Sequence, residues 1–194
     1  MIDMQTAFCA PGAPAEVPLA RSIVPAINGL ARALRKIGCP VVWVVHANTS
    51  RAGSSDWELF FNHVVGDAVR ESTMAALAPG QQRVWDDLEV SPEDHTVIKN
   101  RYSALIAGSS QLERLLRSLG IDTVLIAGTK TNVCCESTAR DAMMLDFKTV
   151  LLSDCCAALS DDEHRAALEN IFQQFGDVLT ADEAVRKLAA AGNT

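Results

Sequence analysis

The sequence predicts an α/β fold: a three-layer α/β/α sandwich around a mostly parallel, doubly wound sheet of about six strands. Three observations lead there. Short apolar runs alternate along the chain with longer helix-like segments. The strand-like runs are continuously apolar rather than alternating, as in a parallel sheet covered on both faces. Helix start and stop signals stand between them. With 194 residues, 48% of them hydrophobic, the chain can bury a core unaided, and a single domain over residues 1–194 is expected.

Taken in order, strands are expected at Met1–Asp3, Val41–His46, Thr96–Lys99, Thr123–Ala127, Val150–Ser153 and Val178–Leu179. Helices are expected over Leu19–Gly38, Gln111–Gly120, Val133–Leu145, Asp161–Phe175 and Ala181–Ala190. Gly38 and Gly120 sit where helix C-terminal glycines belong. Ser160-Asp-Asp-Glu163 and Thr180-Ala-Asp-Glu183 are capping boxes opening the last two helices. The stretches Ala10–Pro18 and Asn48–Asp56 read as loops. Both follow strands, where α/β proteins keep their functional loops.

Composition excludes several classes of function. Seventeen basic against 24 acidic residues leave a net charge of −7, and only 5% of residues are aromatic, so no nucleic-acid partner is expected. The strongest apolar run, Val41-Val42-Trp43-Val44-Val45, is far short of the roughly 20 residues that span a bilayer, so no membrane partner is expected either. The start, Met-Ile-Asp-Met-Gln, has neither the basic nor the apolar region of a signal peptide. Four of the six cysteines form the vicinal pairs Cys134-Cys135 and Cys155-Cys156. That spacing suits neither structural zinc nor a redox C-x-x-C, and points to reduced thiols in a cytoplasm.

In open α/β sheets, ligands bind beyond the carboxyl ends of the strands. Neither G-x-G-x-x-G nor a P-loop occurs, which argues against dinucleotides and triphosphates; no cofactor is expected. Asp3 closes the first strand, Lys99 the third, and Cys134 follows the fourth. A carboxylate, an ammonium and a thiol converging on one spot make a nucleophilic set. Cys134 would lie in the first turn of a helix capped by Thr131 or Asn132, where free N–H groups and the positive helix end favour a thiolate. Asp3 would take the thiol proton and return it to a leaving amine. Lys99 would hold both partners in their charged forms. Taken singly, Asp3 also reads as a turn residue, Cys134 as apolar filler and Lys99 as a surface charge. Spacing by itself does not separate these readings.

Three blocks carry a resemblance: Asp3-Met-Gln-Thr-Ala-Phe8, Lys99-Asn-Arg-Tyr-Ser103 and Gly128-Thr-Lys-Thr-Asn-Val-Cys134-Cys-Glu-Ser-Thr-Ala-Arg-Asp141. In order and separation they resemble the isochorismatase-like cysteine hydrolase superfamily over nearly the whole chain. The resemblance implies the same sandwich and an Asp–Lys–Cys triad on Asp3, Lys99 and Cys134. It also implies a cis peptide between Thr129 and Lys130, with oxyanion donors from the backbone of Lys130 and Cys134, and a homodimer or homotetramer. The blocks are most similar to the ureidoacrylate and N-carbamoyl amidohydrolases. The expected activity is therefore cleavage of a small linear amide, ureido or N-carbamoyl compound through a thioester. The alternatives are isochorismatase-type vinyl-ether hydrolysis, which the cysteine disfavours, and an inactive partner-binding domain. The chain departs from the family pattern in its short or clipped run before Asp3. It departs again at Lys130, Cys135 and Leu105, where a small apolar residue, Val and Phe are common.

The remaining candidates are weaker. Asn48, Arg51, Trp57 and Tyr102 are expected to touch substrate. His46 reads as a satisfied strand-end residue. Nicotinamidase-type relatives bind a divalent metal through Asp-x-His after the second strand; that pattern does not stand there, so no metal is expected. His63, His95 and His164 read as surface or packing residues. Cys135 reads as buried and inert, and Cys155 and Cys156 as filler on a strand-to-helix turn.

Overall fold

The computed structural model describes residues 1–51 and 54–191, without the side chains of residues 50, 51, 54 and 191. The strands are β1 (Val42–His46), β2 (Ser50–Arg51), β3 (Ser54–Ser55), β4 (His95–Lys99), β5 (Thr123–Thr129), β6 (Lys148–Ala157) and β7 (Asp177–Leu179). β1 pairs with β4, and β5 with β6 and β6 with β7, all in parallel. Ile2 bridges Val44 of β1 and Gly128 of β5, again in parallel, so the N-terminal segment joins the two halves into one sheet. The spatial order is β4-β1-N-terminal segment-β5-β6-β7. The chain therefore winds outward one way to β4, returns to β5, and continues the other way. The reversal lies at the N-terminal segment, which puts Asp3 at the topological switch point where α/β sheets open a crevice.

Among the described residues seven α-helices accompany the sheet: α1 (Thr6–Cys9), α2 (Val24–Lys36), α3 (Asp67–Ala76), α4 (Leu112–Ser118), α5 (Glu136–Met144), α6 (Asp161–Gln174) and α7 (Ala181–Ala191). Ile27, Leu30, Ala31 and Leu34 recur at helical spacing on α2 and pack with Ala184 of α7 against Trp43 and Leu152. On the opposite face, Leu112 and Leu116 of α4, Ala139 and Ala142 of α5 and Ile171 of α6 cover Val44, Val97, Ile126 and Leu151. Adjacent residues Leu151 and Leu152 thus face opposite helix layers, which is why the strands read as unbroken apolar runs.

Local chemistry explains the boundaries. Gly38 ends α2 with φ 73°, and its neighbour Cys39 donates to Leu34 O. Gly120 does the same after α4 with φ 68°, Ile121 donating to Leu116 O. The Thr180 box is reciprocal: Glu183 N donates to Thr180 Oγ1 (3.3 Å), and Thr180 N to Glu183 Oε2 (2.9 Å). At α6, Ser160 Oγ caps Glu163 N (3.2 Å), but Glu163 reaches back to the Leu159 amide instead.

Three expectations are corrected. The helix expected from Leu19 is a 3₁₀ turn (Pro18–Arg21) followed by α2, because Pro25 cannot donate backwards across the join. β6 runs on to Ala157, so Cys155 and Cys156 lie on a strand rather than a turn. Asp154 is tolerated there because its Oδ1 accepts from Ala181 N (2.8 Å) at the start of α7. The loop after β1 holds the small antiparallel β2–β3 hairpin. Helix α3 lies outside the elements expected from the sequence, and none of its residues is fully buried. Among the described residues, no helix is long and apolar enough to cross a membrane.

Candidate active site

Three strand ends build the site. Asp3 adopts a left-handed conformation (φ 53°), and its amide donates to Val44 O (2.9 Å). Two residues on, buried Gln5 clamps the segment to the end of β1. Its Oε1 accepts from His46 N (2.6 Å) and its Nε2 donates to His46 O (3.0 Å). Lys99 closes β4 directly opposite His46 and is fully buried. Its Nζ lies 2.9 Å from Asp3 Oδ2, an ion pair outside directed hydrogen-bond geometry. The same Nζ lies 2.9 Å from His46 Nδ1, 3.0 Å from Arg101 O and 3.5 Å from Cys134 Sγ. Asp3, His46, Asn48, Tyr102, Thr129, Lys130 and Cys134 all line one cavity of about 410 Å³.

The turn that carries Cys134 follows a cis Thr129–Lys130 peptide. It is a wide, π-helical turn over Thr131–Cys135 that runs into α5, with Lys130 in the capping position and no side-chain cap. The expected cap at Thr131 or Asn132 is therefore corrected. Thr131 is fully buried, and its Oγ1 lies 2.9 Å from His164 Nδ1. His164 thus tethers the turn to α6 and is more than surface packing. Thr138 Oγ1 holds Cys134 O (2.7 Å) and accepts from Ala104 N (3.1 Å). Val133 N and Cys135 N both donate to Lys130 O, whereas the amides of Lys130 and Cys134 donate to no backbone carbonyl outside the turn.

Electrostatics corrects the expected thiolate. Burial, then the Asp3 charge, push the Cys134 thiol well above its ordinary range, against the pull of Lys99. At rest the sulfur is a thiol beside a carboxylate, not a preformed thiolate. Burial alone would lower the Lys99 ammonium; Asp3, with the sulfur when ionised, outweighs it and holds Lys99 protonated. Burial, then Lys99, lower His46, so its imidazole stays neutral.

Asp3, His46 and Cys134 offer ligand atoms within 4.8 Å of one another, a set chemically able to hold a cation. The Lys99 ammonium already stands among them, so a divalent ion would have to displace it.

Asn48 is buried and donates to Asp56 Oδ1 (2.6 Å) and Asn100 O (3.1 Å). Tyr102 lines the cavity, and burial raises its phenol. Trp57 is not among the lining residues; it packs edge-on behind Tyr102 with ring centroids 4.8 Å apart. The side chain of Arg51 lies outside the described residues. Cys135 has no exposed surface and is raised by burial and by Cys156 beside it. Leu105 packs in the core around α4 and α5. Sequence reasoning missed Gln5 and the contact of His46 with Lys99. The one available signal was that His46 and Lys99 both close strands.

The isochorismatase domain matches residues 1–183. The chain belongs to the isochorismatase family. This isochorismatase-family hydrolase is 30% identical over 193 residues to the maleamate amidohydrolase of Pseudomonas putida, a match covering 97% of this chain and 84% of that protein. It is 32% identical over 194 residues to a ureidoacrylate amidohydrolase of Caulobacter vibrioides, covering 93% of this chain and 85% of that one. Among solved structures it is similar to a cysteine hydrolase from Pseudomonas syringae pv. phaseolicola. That match has a TM-score of 0.81 and 28% identity, and covers 98% of this chain and 91% of the other.

Proposed function

We propose that this isochorismatase-family chain is a cysteine amidohydrolase that cleaves a small linear amide, ureido or N-carbamoyl compound through a thioester. The observation that carries the reading is the buried Lys99 ammonium between a carboxylate and a thiol that open onto one cavity. The amidohydrolase relatives support the bond type.

Asp3 takes the Cys134 proton as the sulfur attacks the carbonyl carbon. A carboxylate within 4.8 Å of the sulfur suits a thiol that is neutral at rest, since such contacts tighten in the substrate complex. Lys99 stabilises the sulfur's developing negative charge, and the Lys130 and Cys134 amides receive the oxyanion. As the C–N bond breaks, Asp3 returns the proton to the amine. Water, deprotonated by Asp3, then splits the thioester to a carboxylic acid and regenerates the thiol.

The test is ammonia release over ureido acids, carbamoyl amino acids, nicotinamide and maleamate, with Asp3→Asn and Lys99→Ala alongside. Turnover on a ureido or amide acid, lost by orders of magnitude in either variant and little worse in the double, is the expected result. No release from any amide, or wild-type rates in Asp3→Asn, would sink the mechanism.

A further inference from the structure

We propose that His46 is a positioning residue for Lys99: it takes one ammonium hydrogen so that another is aimed at the Cys134 sulfur. The inference rests on the cysteine-hydrolase reading and adds to it a residue outside the three reacting groups.

An ammonium has three hydrogens. Lys99 has three directed acceptors, namely His46 Nδ1, Arg101 O and Cys134 Sγ, while Asp3 balances its charge from the side. With two hydrogens tied to His46 and to the Arg101 carbonyl, rotation about the last side-chain bond is stopped. The third hydrogen is left pointing at the sulfur.

This works only if His46 Nδ1 is an acceptor, and its neighbours decide that. Both amide hydrogens of Asn48 are committed, one to Asp56 Oδ1 (2.6 Å) and one to Asn100 O (3.1 Å). Its Oδ1 is therefore the atom that meets His46 Nε2 at 2.6 Å. Nε2 must carry the proton, and Nδ1 presents its lone pair to Lys99. The charged groups facing the imidazole are Lys99 of β4, Asp3 of the N-terminal segment and Asp56 after β3. A second proton on the ring would face the ammonium at 2.9 Å, and burial opposes it as well. Gln5 fixes the His46 backbone through both its N–H and its C=O, so the ring starts from a set position.

The test compares His46→Leu, His46→Gln and His46→Asn in the full chain. Two readouts are used: the pH profile of Cys134 alkylation by iodoacetamide, and kcat against KM. Asn places an oxygen where Nδ1 stands, whereas Gln carries its amide one bond further, near Nε2. His46→Leu and His46→Gln are expected to move the alkylation midpoint up by about one pH unit, a tenfold weaker thiolate. They should lower kcat about tenfold or more with KM little changed, and His46→Asn should recover most of both losses. A role in filling space alone predicts the opposite order, with Gln better than Asn. That order, or a wild-type profile in folded His46→Gln, would overturn the proposal. Alkylation needs no substrate, so finding no amide turnover with the expected alkylation order intact would count against the activity reading alone.

Discussion

Gly128→Ala should damage both stability and catalysis, because the backbone of the N-terminal segment lies where a side chain would have to go. Gly128 has φ 121°, and a β-carbon built on it would sit 2.0 Å from Ile2 O and 2.7 Å from Ile2 N. Real β-carbons essentially never approach within 3.0 Å, so Ile2 must retreat by about 1 Å. Ile2 is held there by Ile2 N to Ala127 O (2.7 Å) and Thr129 N to Ile2 O (3.0 Å). Losing both bonds costs about 0.5–1.5 kcal/mol each, and the positive φ adds about 1–3 kcal/mol, for a total of roughly 2–6 kcal/mol. Asp3 is the next residue, and a 1 Å error in a reacting group lowers rates by about 100-fold. Urea denaturation and ammonia release measure the two effects. Gly176→Ala is the control: its β-carbon would meet Thr149 O at 2.3 Å, and Gly176 is absent from the cavity lining. It should lose stability while the folded protein keeps its kcat. A Gly128→Ala protein with wild-type urea midpoint and rate would refute the argument.

Three further outcomes are expected. Limiting iodoacetamide should label Cys134, which opens on the cavity, before the fully buried Cys135; Cys134→Ala should be inactive and Cys135→Val should keep most of its rate. Label on Cys135, with Cys134→Ala still active, would show that the nucleophile is misassigned. Burial pushes Cys9 and Cys155 up to about 12 from an unfolded value near 9. Above pH 9 the unfolded chain therefore binds fewer protons, and stability falls as pH rises towards 12. The urea midpoint should drop between about pH 9 and pH 10.5, and less so in the Cys9→Ala/Cys155→Ala double variant; a flat profile would contradict this. Dialysis against a strong chelator should leave the rate unchanged, since an ammonium already stands among the three available ligands. Activity lost and then restored by Zn²⁺, Mn²⁺ or Fe²⁺ would reverse that reading.

The sequence by itself determined whatever short-range chemistry encodes. The helix stops at Gly38 and Gly120, the N-terminal caps at Ser160 and Thr180, and the apolar strands were readable because each depends on residues a few positions apart. The strand-end rule singled out Asp3, Lys99 and Cys134 for the same reason: each closes or follows a recognisable strand. Only the tertiary structure decided which strand ends are neighbours. Strand order is a matter of non-local pairing, and it places Asp3 between β1 and β5 with His46 opposite Lys99. It also decided the protonation state of Cys134. A helix start and a nearby lysine suggested a thiolate, but the desolvation that raises the thiol is the sum of every group packed around it. Trp57 shows the same limit, since its place in the chain put it near the site and packing set it behind Tyr102. Helix α3 was missed for another reason: its inner face, with Ala68, Ser72, Thr73 and Ala76, lines the cavity with small and polar side chains instead of burying large apolar ones.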